Sequence, residues 1–272
     1  AELSPTQYLE HRYEFDGDRY DFDYQFIVRG LHAVIRDNSL YFRKLVHVPL
    51  TEKSADKMHP EVTLFYRNNT EDIESLDYAA EETEKLERAT DHIEWLAFKS
   101  QFFSSVLLGK STDFSITSAS NTPLDGKPYV KLMTAELTFP YRHRDADTTA
   151  LTMYFGPNDV YRLDDYNKGV GNIVALGWGP LRYVALGILA VFKFLEQFIF
   201  NYGVIIAILA LLIKLVLHPL TYRSFISTAK MQVVNKMPEM VALREKLKDN
   251  PTELSQQQMA FYRKVGVNPF GG

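Results

Sequence analysis

The run from Tyr202 to Pro219, YGVIIAILALLIKLVLHP, constrains this chain more than any other stretch. It is apolar apart from Lys214 near its far end, and a proline closes it. A run of this length and composition reads as a membrane span. The flanks differ in charge. Residues 221–272 carry eight Lys/Arg against four Asp/Glu, and residues 177–220 carry three against one. With 30 Lys/Arg and 34 Asp/Glu in all, residues 1–176 are left with 19 against 29, a net of about −10. Basic residues beside a span stay on the cytoplasmic side. The C-terminal segment is therefore expected inside, and the acidic part outside, in the periplasm of a Gram-negative bacterium.

Residues 1–167 predict an antiparallel β-sandwich. Tyr20–Val28, Leu40–Val48, Val62–Tyr66, Asp113–Thr117, Val130–Phe139 and Leu151–Phe155 are short alternating runs. They are rich in aromatic and β-branched residues, and Gly, Asn, Asp or Pro separates them. Two stretches read differently. The acidic run from Glu71 to Glu94 predicts a solvated loop. Within Ile93–Gly109, Leu96, Lys99, Phe103, Val106 and Leu107 recur at helical spacing, which predicts a helix closed by Gly109. Val160–Asn167 is expected to be a short polar link.

Residues 168–201 predict a linker and an interfacial amphipathic helix. Pro180 suits the first helical turn, and Arg182, Lys193, Glu196 and Gln197 share one narrow face. Trp178 and Tyr183 suit the headgroup layer. A spanning reading would bury Lys193 and Glu196 directly before another apolar run, so the interfacial reading is preferred.

Along the span, 202–220, Gly203, Ala207, Ala210, Lys214 and His218 fall on one side. Small residues on one face let a second helix approach closely. Lys214 admits two readings. It could snorkel to the headgroups, or it could face a polar cavity between helices.

After the span, residues 221–272 predict a cytoplasmic helical hairpin. Ile226, Val233, Met237, Met240, Leu243 and Leu247 form an apolar stripe, with Lys230, Lys236, Arg244, Lys246 and Lys248 among the basic residues. Pro238 predicts a kink or break. Asp249-Asn250-Pro251-Thr252-Glu253 then gives a turn and a new start, with Asn250 as N-cap, Pro251 at N1 and Glu253 at N3. The second arm carries Met259, Tyr262 and Val265 and ends at Gly266. Spacing alone leaves open whether the hairpin is a self-packed pair or a docking platform.

Catalytic signatures are missing. The chain has no cysteine, which excludes disulfides, thiolate metal sites and a cysteine nucleophile. It contains no HExxH, Walker loop, GxSxG or dinucleotide glycine fingerprint, and its seven histidines are scattered. The expectation is a protein that is not an enzyme, with no cofactor, no metal and no nucleic acid as direct substrate. Ala1 begins the chain without methionine or leader, and Asn268-Pro269-Phe270-Gly271-Gly272 stops on a turn. The chain therefore reads as an internal piece of a longer membrane protein.

Gly177-Trp178-Gly179, the helix after it, the Gly203-containing span and Lys214-Leu215-Val216-Leu217-His218-Pro219-Leu220-Thr221 resemble the YidC family of bacterial membrane protein insertases. Ala229-Lys230-Met231-Gln232, Met237-Pro238-Glu239-Met240, Leu243-Arg244-Glu245-Lys246, Gln258-Met259-Ala260-Phe261-Tyr262 and Val267–Gly272 extend the resemblance. The aromatic outer domain is similar to Bacteroidetes-type members.

The resemblance implies a periplasmic β-sandwich of a fold shared with sugar-binding domains, an interfacial helix, and five packed spans with a hairpin between the first two. It implies a hydrated groove, open to cytoplasm and lipid, that holds an arginine. Lys214 stands at that position, keeping the charge and losing the planar fork. Such a groove receives polar parts of a client chain and releases apolar segments into lipid. The implied partners are nascent membrane proteins, the Sec translocon, the ribosome and the lipid bilayer. Two other readings stand beside the insertase and chaperone. A membrane-anchored carbohydrate- or protein-binding module would show a cleft of aromatics with Asn/Asp. A sugar-processing enzyme would show two carboxylates ~5–9 Å apart in that cleft.

Overall fold

The structure, a computed structural model, describes residues 2–53, 61–70, 72–77, 82–110, 113–124, 128–248 and 250–267. Two compact units divide it, Ala1–Ala175 and Leu176–Gly272.

The first unit is built on strands β1 (Glu2–Ser4), β2 (Gln7–Phe15), β3 (Asp21–Arg29), β4 (Ser39–Pro49), β5 (Thr63–Asn68) and β6 (Ile73–Ser75). It continues with β7 (Glu84–Lys85), β8 (Thr90–Lys99), β9 (Phe103–Gly109), β10 (Phe114–Pro123), β11 (Tyr129–Pro140) and β12 (Ala146–Pro157). Their order is β1-β2-β3-β12-β9-β8-β10-β11-β4, with β5 and β6 beside β8 and β7 beside β10. The pairings are antiparallel.

The sheet curls over itself, so the expected sandwich is a single sheet whose two layers are joined at β8 and β10. The corner lies near Ile93, where β8 meets both Asn68 of β5 and Phe114 of β10. His92 there has φ 57°, and the register slips. A bulge of this kind lets a strand pass from one layer to the other. The layers close on an aromatic lattice. Phe42 of β4 meets Tyr24 and Phe26 of β3 edge-on, with centroids 6.1 and 5.5 Å away, and Phe139 of β11 at 5.5 Å.

All six alternating runs fall on strands, those at Tyr20, Val62 and Asp113 beginning one residue ahead of β3, β5 and β10. The expected helix over 93–109 does not form: β8 and β9 make a hairpin there, with Lys99 opposite Ser104. Its apolar residues recur so densely because β8 is buried on both faces. Leu96 and Phe98 enter the main core, while Trp95 and Ala97 lie in a second cluster on the outer side. The segment after the last strand covers that second cluster. The expected polar link is a short helix, α1 (Val160–Asp164), followed by a 3₁₀ turn at Val170–Ile173. Leu163, Val170 and Ile173 are buried against Trp95, Val106 and Tyr154. Trp95 also donates its indole N–H to the Lys168 carbonyl at 2.9 Å.

Asn158 secures the β8–β9 turn. Its amide nitrogen donates to the carbonyls of Ser100 and Gln101, and its side-chain oxygen accepts from Ser104. The acidic run also carries more structure than a loop, because β6, β7 and the start of β8 fall within it and Leu76 is buried. Both clusters draw only on residues of this unit, which thus has its own core and the means to fold alone.

The second unit holds α2 (Pro180–Glu196), α3 (Tyr202–Asn235), α4 (Pro238–Lys246) and α5 (Pro251–Val265). Pro180 opens α2 and Asn201 caps α3, accepting from Gly203 and Val204. Pro219 does not end the helix as expected. A lone proline removes one ladder bond and costs about 3 kcal/mol, which the unbroken turns on either side of it outweigh.

Candidate functional site

Among the described residues α3 is the one helix long and apolar enough to cross a membrane. α2 packs on one side of it. Ile205 and Leu209 are buried and Ile208 is half-buried, Phe192 stacks with Tyr202 at 6.0 Å, and the Tyr202 hydroxyl donates to Glu196 at 2.8 Å. Gly203, Ala207, Ala210 and Lys214 are exposed. At roughly 100° per residue, Lys214 lies within about 40° of those three small residues and roughly 140–180° from Ile205 and Leu209. The packed face of α3 is thus turned away from the stripe that carries the lysine. Lys214 makes no hydrogen bond or ion pair among the described residues.

α2 has no buried residue, and Leu181, Val184, Ile188, Val191 and Phe194 are exposed along it, as is Phe198 just beyond its end. Trp178 and Tyr183 at its start are also exposed.

Beyond α3 the expected break occurs at Pro238: Met237 is extended and the proline takes the first position of α4. Asn250 caps α5, accepting from the Glu253 amide, and Gly266 ends it with φ +72°, a left-handed cap that suits glycine. Asp249 and the Asn268–Gly272 motif lie outside the described residues. Val234, Met240, Tyr262 and Val267 form a small core, with Met231, Met237, Leu243 and Phe261 packed on it. Val234 thus takes the buried place expected of Val233, which is exposed, because the stripe follows the helix that begins at Tyr202. Met259 is half-buried, while Lys230, Pro238 and Arg244 are exposed. Sequence reasoning did not single out Asn235, whose side-chain oxygen accepts from both Tyr262 (2.6 Å) and Arg244 (2.9 Å). No motif marks it.

In the β unit a cavity of about 320 Å³ opens between the layers, with Tyr20, Phe98, Phe103 and Phe155 among its walls. Its polar walls are serines, His47 and Tyr20; neither Asn nor a carboxylate lines it. This cavity lacks the Asn/Asp of a sugar cleft and the paired carboxylates of a glycosidase, whereas another, of about 380 Å³, is lined by Asp18, Asp21 and Asp165 with Tyr20, Tyr154 and Tyr166. Among the described residues no group of three side chains is placed to hold a metal ion.

Comparison with known proteins places both units. Residues 4–185 match the family model of the YidC periplasmic domain, and residues 194–272 match that of the 60Kd inner membrane protein. The chain belongs to the YidC family of membrane protein insertases. The YidC insertase of Parabacteroides distasonis is 27% identical over 97% of this chain and 43% of its own length. That of Phocaeicola vulgatus is 33% identical over 73% of the chain and 33% of its own length, and that of Chlorobaculum tepidum 28% over 100% and 46%. The chain thus spans less than half the length of these curated relatives. A crystal structure of an active YidC insertase with its first transmembrane domain resolved is 16% identical, with a TM-score of 0.28, over 98% of this chain and 70% of that one. The curled sheet corresponds to the YidC periplasmic domain, and α3 to α5 lie within the inner-membrane part of the match.

Proposed function

We propose that this chain contributes the periplasmic domain, the first core span and the cytoplasmic hairpin of a membrane protein insertase. The observation that carries the reading is the bare stripe on α3, where Gly203, Ala207 and Ala210 lead to Lys214 on the side away from α2. Small residues allow further helices to close on that side. An isolated lysine in a span costs at least ~2.5 kcal/mol at its centre and less toward its end, so an unpaired one is best accommodated by water between helices. In such a groove the ammonium receives acidic or polar parts of a client chain, lowering the cost of their passage. The client's apolar segment then slides along the span surfaces into lipid.

The rest of the unit fits this scheme. α2 lies at the outer membrane boundary with its apolar face in lipid. The net charge of about +4 over residues 221–272 keeps the hairpin in the cytoplasm. There the end of α3 presents Lys230 and α4 presents Arg244 at the surface, and the hairpin helps recruit the client, the ribosome or the Sec translocon. No cofactor or energy source is needed.

The test is complementation of an insertase-depleted bacterium with the full-length parent carrying Lys214, Lys214→Arg or Lys214→Ala. The expected result is growth with lysine and arginine and failure with alanine at equal expression. Equal rescue by all three would make Lys214 a snorkelling anchor and remove the groove.

A further inference from the structure

The inner row of β4 reads Leu40, Phe42, Lys44, Val46 and Val48, so a cation takes one place in an otherwise apolar series. The Lys44 side chain reaches across to the opposite layer. Its Nζ donates to Ser105 Oγ of β9 at 2.5 Å and lies 4.9 Å from the Phe98 ring and 4.8 Å from the Phe155 ring. Among the described residues no carboxylate pairs with it. Burial alone pushes its pKa down to about 8. Cation–π contacts recover part of that cost, but a half-buried ammonium without a counter-ion is a poor core residue.

The three residues that hold the ammonium, Phe98, Ser105 and Phe155, are walls of the 320 Å³ cavity, and they bring Lys44, which is not itself a wall, to its edge. Val46, Val48, Phe103 and Met133 line it further, and Tyr20 and His47 are its titratable walls. Two of its serines are already committed: Ser100 donates to the Phe103 carbonyl and Ser104 to Asn158. Ser105 accepts from Lys44 and keeps its own proton to donate. Toward solvent the cavity continues into exposed aromatics. Phe155 stacks on Phe22 at 5.8 Å, Phe22 meets Phe15 at 4.6 Å, and Phe103 and Phe15 are 61% and 72% exposed.

We propose that this cavity binds a fatty carboxylate, with the acyl chain among Phe98, Phe103, Phe155, Val46, Val48 and Met133 and the two carboxylate oxygens on Lys44 Nζ and Ser105 Oγ. The one cation and the adjacent Ser105 hydroxyl match one monoanionic carboxylate. Apolar walls with a few convergent polar groups are the ordinary make-up of a small-molecule site, and the volume is within its range. A sugar would leave most of its hydroxyls without partners here. The site lies wholly in the β unit and stands or falls independently of the insertase reading.

The test is calorimetric titration of residues 1–175 with sodium decanoate and with neutral 1-decanol at pH 7. The expected result is saturable one-to-one binding of decanoate, at least tenfold tighter than decanol, with the ring resonances of Phe98 and Phe155 shifting on titration. Lys44→Met should lose at least tenfold for decanoate and leave decanol unchanged, while Lys44→Arg retains most of the preference. If Lys44→Met does not fold, as read from Trp95 fluorescence, Ser105→Ala and Phe103→Ala take its place, each weakening decanoate severalfold. Absence of saturable decanoate binding, equal binding of decanol, or variants that bind as the parent does would overturn the proposal.

Discussion

Replacing Lys44 with methionine should make the β unit more stable at neutral pH, and the gain should fade as pH rises. Burial lowers this lysine's pKa from 10.5 to about 8. At 1.36 kcal/mol per pH unit, that difference corresponds to a cost on the order of 3 kcal/mol for holding the charge inside. The sign follows from proton binding. Below pH 8 both folded and unfolded chains carry the proton, and the folded state bears the whole cost. Between pH 8 and 10.5 the unfolded state binds more protons, so the parent's stability rises through that window. Above it the cost is gone. Methionine matches the lysine side chain out to Cε and removes the charge. It also gives up the Ser105 hydrogen bond, a loss of about 1 kcal/mol that does not vary with pH.

Lys44→Met should therefore exceed the parent by about 2 kcal/mol at pH 7 and lose that lead by pH 10.5. The assay is urea unfolding of residues 1–175, followed by Trp95, the only tryptophan in that segment. Buried Tyr66 and Tyr154, pushed up to about 12, keep their protons throughout. A variant no more stable than the parent at pH 7, or a difference constant between pH 7 and 10.5, would refute the account of Lys44 as an uncompensated internal charge. A residue that lowers stability beside a cavity fits the trade-off between stability and function.

Two further substitutions probe joints within each unit. Asn158→Ala removes three side-chain hydrogen bonds that fasten the β8–β9 turn to the end of β12. At about 1 kcal/mol each, it should cost ~2–3 kcal/mol in the urea midpoint of residues 1–175; a loss below about 0.5 kcal/mol would mean the turn holds itself. Asn235→Ala leaves the buried Tyr262 hydroxyl and Arg244 without their shared acceptor. Hydrogen exchange should then quicken in α4 and α5 and stay unchanged in the first half of α3; uniform rates would show that the apolar cluster alone sets hairpin stability.

Much of this molecule follows from local pattern. The strands buried on one face show their alternation in the sequence, because the period of two is the imprint of a half-wet sheet. The apolar run of α3, the break at Pro238, the Asn250 cap and the Gly266 terminus are equally local, since each depends on a few adjacent residues. The helix expected over 93–109 failed for a tertiary reason. Trp95 and Ala97 are covered by Leu163, Val170 and Ile173, residues more than sixty positions away, and burial on both faces erases the alternation. The turn between β8 and β9, Ser100-Gln101-Phe102, carries no Gly, Asn or Pro to announce it, because Asn158, just beyond β12, secures it. Lys44 stood in the inward register of β4 from the start. That it meets two rings and a hydroxyl, and no carboxylate among the described residues, was decided only when the layers closed. Likewise composition marked Gly203, Ala207, Ala210 and Lys214 as one stripe, but the packing of α2 on the far side of α3 is what leaves that stripe uncovered.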